Sequence, residues 1–247
     1  MVKDAHEKGL LSVSEALRNR RSVRAFLDKR VDQQLLLSLI SRASQAPSGG
    51  NLQPWKVYVV HGETTAVLVG HIQSRIGAGK MPSGSEYHIY PPDMKEMKVH
   101  NRRRVEVARG MYALLGVERD DHEGKMKELH RNWTFFGAPA GLILTIDERM
   151  QQGQWADVGM FLLAFCLLCE ESGLQTCCQE AWAMYSQELK DVLNIPQGET
   201  VFAGCSVGYA DWDHPVNSLR TERASLRDFA SVPTAEEMRQ RIANSKL

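Results

Sequence analysis

The sequence lacks the features of a membrane or secreted protein. Its longest apolar run, residues 160–169, is too short to cross a bilayer, because a helical span needs about 20 apolar residues. Residues 1–7 contain no apolar stretch of the kind found in a secretory signal peptide. The five cysteines are an odd number without the spacing of a disulfide framework. We therefore expect reduced thiols, no membrane partner and a cytoplasmic location.

The sequence also has no excess of charge. Its 30 Lys and Arg residues balance 30 Asp and Glu residues, so no attraction to nucleic acid is expected. The basic run 101–104 is accordingly interpreted as a solvated helix face. The segment 77–80 lacks the spacing of a phosphate-binding loop, and the eight histidines show no metal-binding spacing. No nucleic-acid partner and no metal site are predicted.

The chain does contain enough apolar material for one core. At 247 residues it suits a single domain, 1–247. Helix 154–172 is apolar nearly all round, which indicates that a second chain covers it, and its Cys166 and Cys169 are interpreted as packed small hydrophobes. Periodicity and cap residues predict helices at 12–20, 31–44, 64–76, 94–117, 154–172, 186–193 and 234–242, and strands at 56–60, 141–146 and 200–209.

A polar loop separates the second helix from the first strand. It contains Pro47, Ser48, Gly49, Asn51 and Gln53. Neighbouring glycines allow the backbone to approach a flat ligand, and the two amide side chains offer both donors and acceptors. Taken alone, the segment fits an ordinary surface loop equally well.

A basic cluster ends the first helix. Arg20, Arg21, Ser22 and Arg24 place three guanidinium groups and a hydroxyl within five residues. A guanidinium presents a rigid fork of donors that suits phosphate, whereas an isolated cluster is more often solvated. Its combination with the loop at 46–55 favours an anion-binding site.

Together the two motifs resemble the opening of the nitroreductase family of flavoproteins. That family shows Arg-Arg-Ser-x-Arg followed by Ala-Pro-Ser-x-x-Asn-x-Gln-Pro-Trp, and both patterns stand here, at 20–24 and 46–55. A third segment, 178–182, is similar to the family's Pro-Gln-Glu-Ala-Trp, with Cys178 where proline is common. A fourth, 208–223, is similar to a segment of the branch that reduces nitroaromatic acids. The stretch 173–182 is expected to be a loop over the flavin.

The resemblance implies an α+β fold, in which helices surround a small, mostly antiparallel sheet and two chains form an intertwined homodimer. It implies FMN as the cofactor and NADPH or NADH as the electron donor. The substrates would be nitroaromatic compounds or quinones, reduced in two-electron steps by ping-pong hydride transfer. Because the flavin carries this chemistry, no catalytic side chain is assigned. Segment 77–132 would be a variable cover over the substrate, and 210–247 a C-terminal extension.

The resemblance also assigns residues to the flavin site. The phosphate would be held by Arg20, Ser22 and Arg223, with Arg220 as the second choice to Arg223. The full set is Arg20, Arg21, Ser22, Arg24, Pro47, Ser48, Gly49, Asn51, Gln53, Cys178, Gln179, Glu180, Ala181, Arg220 and Arg223.

Other members of this set would surround the flavin ring. Arg24 would lie with Asn51 and Gln53 at the pyrimidine edge, where negative charge collects on reduction. Glu180 and the backbone after it would lie beside the hydride-transferring nitrogen. The loop 47–51 would come from the second chain.

The same resemblance leaves alternatives open. Relatives on this scaffold dehalogenate iodotyrosine or degrade flavin, and a flavin-binding protein without turnover would carry the same motifs. The chain ends in Ser245-Lys246-Leu247, which in a eukaryote would direct it to the peroxisome.

Overall fold

The structure, a computed structural model, describes residues 11–245. The predictions that rest on residues 1–7 and 246–247, the absence of a signal peptide and the peroxisomal ending, lie outside that range. The described helices are α1 (Val13–Asn19), α2 (Gln33–Ala43), α3 (Glu63–Gly77), α4 (Lys98–Leu114), α5 (His122–His130), α6 (Gln152–Glu171), α7 (Ser186–Leu193) and α8 (Ala235–Asn244). The strands are β1 (Lys56–His61), β2 (Ala140–Asp147), β3 (Gln175–Gln179) and β4 (Glu199–Gly208).

Local capping fixes where the first helices begin. The Ser12 hydroxyl accepts a hydrogen bond from the backbone N–H of Glu15 at 3.2 Å, and the Glu15 carboxylate accepts one from the N–H of Ser12 at 2.8 Å. This reciprocal pair satisfies two donors that the first turn leaves free. Asp32 caps α2 by accepting from the N–H of Leu35 at 2.7 Å.

The four strands form one antiparallel sheet in the order β1-β2-β4-β3. In its register, Leu142 of β2 pairs with Cys205 of β4, and Cys205 pairs in turn with Cys178 of β3. The helices pack around this small sheet, which confirms the predicted α+β fold.

The sheet separates two apolar clusters. One face packs against α2 and α6, through side chains such as Leu36, Phe161 and Phe165. The other face packs against α3, α7 and the 3₁₀ segment Arg131–Gly137, through Leu68, Leu189 and others. Because β2 and β4 contribute to both clusters, they lie at the centre of the molecule.

Helix α6 has an inner and an outer apolar face. Val158, Phe161 and Phe165 are buried against the sheet, whereas Met160 and Leu163 are 40% and 46% exposed. The helix is longer than the apolar run at 160–169, and by length and composition alone it could cross a membrane. A core helix passes the same test, and the inner face of α6 is buried in the protein.

Two elements differ from the sequence predictions. Residues 175–179 form strand β3 instead of a loop, because their backbone pairs with β4 along its whole length. Helix α5 was not predicted; Asp121 caps it by accepting from the N–H of Gly124 at 2.8 Å. Its apolar residues are too few to give a clear period.

Candidate functional site

The N-terminal segment after α1 is held against the sheet and the chain that follows β4. The N–H of Val23 donates to the carbonyl of Thr176 in β3 at 3.0 Å. The N–H of Asp211 donates to the carbonyl of Ala25 at 3.0 Å. Two motifs separated by almost the whole chain, 20–24 and 211–223, therefore lie side by side.

Asn217 fixes the contact between these two motifs. Its side-chain oxygen accepts from the N–H of Arg24 at 2.8 Å, and its amide nitrogen donates to the carbonyls of Ala25 and Asp211, each at 2.7 Å. Its own carbonyl accepts from Arg21 at 2.9 Å. Asn217 is buried, so the polar groups of this junction pair with one another instead of with water.

The junction forms one wall of a cavity of about 580 Å³ that we call the arginine cavity. It unites the predicted residues of the N-terminal cluster with the predicted C-terminal pair. Its lining consists of Leu17, Arg18, Asn19, Arg20, Arg21, Ser22, Arg24, Val107, Leu219, Arg220, Thr221 and Arg223.

The charge of the arginine cavity is predominantly positive. Burial lowers the pKa of the Arg21 guanidinium, and the charge of Arg220 lowers it further. The charge of the nearby Glu170 has the opposite effect and raises the pKa of Arg21. Burial raises the pKa of the Glu170 carboxyl group itself. Within residues 11–245, the buried Nε of Arg21 has no hydrogen-bond partner. A bound anion would supply both a counter-charge and acceptors.

Arg220 and Arg223, the C-terminal arginines of the cavity, each make hydrogen bonds within the protein. Arg220 donates to the carbonyl of Arg18 at 3.0 Å, and Arg223 donates to the hydroxyl of Thr221 at 2.6 Å. Since a guanidinium has five N–H donors, these contacts leave donors for a ligand. Arg21 also lies over the ring of Trp212, with 4.8 Å from its carbon to the ring centroid.

The loop that contains Pro47 contacts α6 and lies outside the lining of the arginine cavity. The N–H of Gly49 donates to the carboxylate of Asp157 in α6 at 3.2 Å, and the N–H of Gln53 donates to the Ser48 hydroxyl at 3.0 Å. Asn51 and Gln53 have left-handed φ angles of 58° and 47° and are exposed. In the part of the chain that the structure describes, this loop does not line the arginine cavity.

The predicted residues 178–181 point in different directions, because neighbouring strand residues face opposite sides of the sheet. Cys178 faces α6. Gln179 is buried on the other face, where its amide nitrogen donates to the carbonyl of Asn132 at 2.6 Å. The carbonyl of Ala181 accepts from the Trp133 indole at 2.9 Å.

Glu180 lines a second depression, of about 490 Å³, that we call the aromatic cleft after Tyr87, Trp155 and Phe202. The rings of Tyr87 and Trp155 meet edge to face with 4.9 Å between centroids. The cleft walls limit the solvation of the Glu180 carboxylate, and this desolvation raises its pKa, although part of the side chain stays accessible.

Sequence reasoning missed several residues of both sites. Arg18, Val107 and Thr221 line the arginine cavity, and Asn217 holds its two motifs together. Of these four residues, only Thr221 and Asn217 lie inside a segment that the sequence analysis recognised, 208–223. Tyr87, Trp155 and Phe202 form the aromatic cleft from three separate parts of the chain. No local spacing signals such a set.

Comparisons with known proteins identify the family of the chain. The model of the "Nitroreductase family" matches residues 17–209. The chain is 34% identical over 212 residues to a 4-nitrobenzoate reductase of Pseudomonas putida, covering 85% of this chain and 91% of the relative.

Two solved structures are similar as well. An FMN and NADPH-dependent nitroreductase, NfnB of "sphigopyxis sp. strain HMH", has a TM-score of 0.85 and 40% identity, over 91% of this chain and all of its own. The FMN-dependent NfnB of Mycobacterium smegmatis, solved in complex with NADPH, has a TM-score of 0.81 and 25% identity, over 90% and 97% of the two chains. On the family model and on these similarities, the chain belongs to the nitroreductase family.

Proposed function

We propose that this protein is an FMN-dependent NAD(P)H oxidoreductase that reduces nitroaromatic substrates. The observation that carries the proposal is the arginine cavity, in which two distant basic motifs meet around space for an anion. The family membership and the activities named for its relatives support the same conclusion.

The residues of the arginine cavity fit the phosphate of FMN. Arg20, Ser22 and Arg223 line it, so they can offer charge-assisted hydrogen bonds to phosphate oxygens. The unpartnered Nε of Arg21 adds one more donor. When bound, FMN would supply the hydride chemistry by taking a hydride from NADPH or NADH and passing it to the acceptor.

The rest of the flavin site requires a second chain in this proposal. The Pro47–Gln53 loop is anchored to α6 through Asp157 and not to the arginine cavity of its own chain. The outer face of α6, with Met160 and Leu163, is apolar and exposed, as an interface between two copies would require. We place Arg24 at the pyrimidine edge, with Asn51 and Gln53 of the neighbouring chain close by.

The aromatic cleft is the proposed place for the nitroaromatic ring. Tyr87 and Trp155 offer flat apolar surfaces, and a ring can stack or meet them edge to face. Desolvation raises the pKa of Glu180 at its margin, so this carboxyl group keeps its proton to a higher pH than an ordinary carboxyl group does. In this arrangement segment 77–132 covers the substrate, and 210–247 is a C-terminal extension that completes the phosphate site.

The cytoplasm is the proposed location. The relatives described above are bacterial, and bacteria have no peroxisomes, so nothing in these comparisons supports the peroxisomal alternative.

Steady-state turnover tests this function. Consumption of NADPH and NADH should be measured with 4-nitrobenzoate, a quinone and iodotyrosine side by side. We expect the fastest turnover with the nitroarene. Preferred deiodination of iodotyrosine would indicate the dehalogenase alternative, and FMN binding without turnover of any acceptor would indicate a non-enzymatic flavin protein.

A further inference from the structure

Three cysteines from separate elements meet between α6 and the sheet. Cys178 and Cys205 are direct cross-strand partners on β3 and β4, and Cys166 of α6 lies against the same sheet face. The sulfur atoms of the three residues all lie within 4.8 Å of one another. Those of Cys166 and Cys178 are 3.6 Å apart. Cys166 and Cys169 are both buried in the apolar core, as predicted, and Cys166 also belongs to this cluster of three sulfurs.

The spacing of these sulfur atoms suits one central ion. Three ligands at a metal–thiolate distance of about 2.3 Å, arranged in a plane around the ion, would place their sulfurs about 4.0 Å apart. The sulfur–sulfur separations in the structure, from 3.6 Å to at most 4.8 Å, bracket this value.

The chemistry of the ligands selects the ion. The donor set is sulfur alone, and soft thiolate ligands favour Cu(I), zinc or iron–sulfur clusters. A structural zinc site takes four protein ligands in a tetrahedron, whereas three sulfurs suit Cu(I). We propose that Cys166, Cys178 and Cys205 form a binding site for a single Cu(I) ion.

Cu(I) binds to thiolates, so the three thiols of the cluster must lose their protons when the ion binds. Binding of Cu(I) would form three copper–sulfur bonds without any change of oxidation state. The Cys166, Cys178 and Cys205 thiols would release three protons to solvent, to which the exposed side of Cys178 gives access.

Two other cysteines provide matched controls. Cys169 is buried one helical turn beyond Cys166, and Cys177 is buried on the opposite sheet face from Cys178. Neither belongs to the cluster. Burial raises the pKa of Cys177 to about 11. Serine at either control position removes one thiol and leaves the three cluster sulfurs in place.

The test is a titration of the purified, phosphine-reduced protein with Cu(I), in competition with a chromophoric Cu(I) chelator. We expect one Cu(I) per chain. Cys166→Ser, Cys178→Ser and Cys205→Ser should each weaken binding by at least about tenfold, since loss of even an outer-shell partner costs 10–100-fold. Cys169→Ser and Cys177→Ser should bind Cu(I) like the wild type.

Some results would overturn the site. Equal weakening in all five variants, no stoichiometric binding, or preferential binding of Zn(II) by the same cysteines would each contradict it. If the variants of the buried cysteines fail to fold, Cys178→Ser alone tests the site, because Cys178 is exposed and its substitution should not disturb the core. The readout is metal binding and not turnover, so the result does not depend on the proposed reductase activity.

Discussion

Asn217 shows how one buried side chain positions two binding motifs. It pairs with the backbone of Arg24, Ala25 and Asp211 and with the guanidinium of Arg21. If its side chain were lost, the N–H of Arg24 would have no partner, whereas the carbonyls of Ala25 and Asp211 would keep the N–H groups of Asp211 and His214 as donors. Each unpaired group costs about 1–3 kcal/mol.

We therefore expect Asn217→Ala to lower the free energy of unfolding and to weaken FMN binding together. Urea denaturation and flavin titration measure the two effects. Ser218→Ala, at the exposed neighbouring position, is the control and should stay within about 0.5 kcal/mol of the wild type. An Asn217→Ala protein with wild-type stability would show that the junction does not depend on this residue.

Two arginines of one cluster should differ in their roles. Arg20→Ala and Arg24→Ala each remove one charge, so net charge does not distinguish them. If Arg20 binds phosphate, its loss should weaken FMN binding by about 1.5–3 kcal/mol, and excess FMN should restore activity.

Loss of Arg24 should instead lower the reduction potential of the bound flavin, because the reduced anion loses a counter-charge. A drop of 30 mV corresponds to about 1.4 kcal/mol for a two-electron couple, and excess FMN should not reverse it. Redox titration of both variants measures this. Identical behaviour of the two would contradict the assignment of roles.

Among the helices and strands, the sequence predicts those whose bounds are determined by local interactions. Helix α1 begins at its Ser12–Glu15 capping box, and α7 spans the predicted residues. Strand β3 escapes prediction because Gln175–Gln179 is polar and rich in cysteine, without apolar alternation; its pairing with β4 imposes the strand.

The same distinction between local sequence and tertiary packing applies to the candidate site. The arginine motifs, and the family that they indicate, can be recognised from the local sequence. The insertion of Val107 from α4 into the cavity, and the meeting of Tyr87 with Phe202, depend on tertiary packing that no local pattern encodes.

Glu199 joins three strands of the sheet and should make stability depend on pH. Its buried carboxylate accepts from Lys56 and Tyr58 of β1, at 2.6 and 3.1 Å, and from Thr145 of β2. Burial alone would raise the pKa of Glu199, but these hydrogen bonds outweigh it and lower the pKa below its ordinary value of 4.5.

A lowered pKa contributes stability that is present above pH 4.5 and is lost as the pH falls through the lower folded-state value. Glu199→Gln cannot lose this contribution. Its free energy of unfolding, measured by urea at a series of pH values, should therefore fall less on acidification than that of the wild type. Lys56→Met should also flatten the dependence, because it removes one donor. Parallel curves for wild type and Glu199→Gln would contradict this account.

At the scale of the whole molecule, the outer face of α6 should be the interface between two copies. We expect Leu163→Arg to convert a dimer into a monomer and to reduce FMN binding, because a charge would be buried where an apolar contact is needed. Val67→Arg on α3 is the matched control, since Val67 is 61% exposed and Leu163 is 46% exposed. Light scattering at micromolar concentration distinguishes the two states. If the wild-type protein is monomeric under these conditions, the proposed interface at α6 is wrong.

The proposed function depends on the arginine cavity holding the phosphate of FMN. Riboflavin has the same ring without the phosphate, so the ratio of its Kd to that of FMN, measured by flavin fluorescence on the apoprotein, isolates this contact. A single charge-assisted hydrogen bond of about 1.5–3 kcal/mol already corresponds to at least about tenfold tighter binding of FMN. We predict a ratio well above tenfold in the wild type, which falls towards one in the double variant Arg20→Ala and Arg223→Ala. Equal affinities of the wild-type protein for riboflavin and FMN would contradict the account.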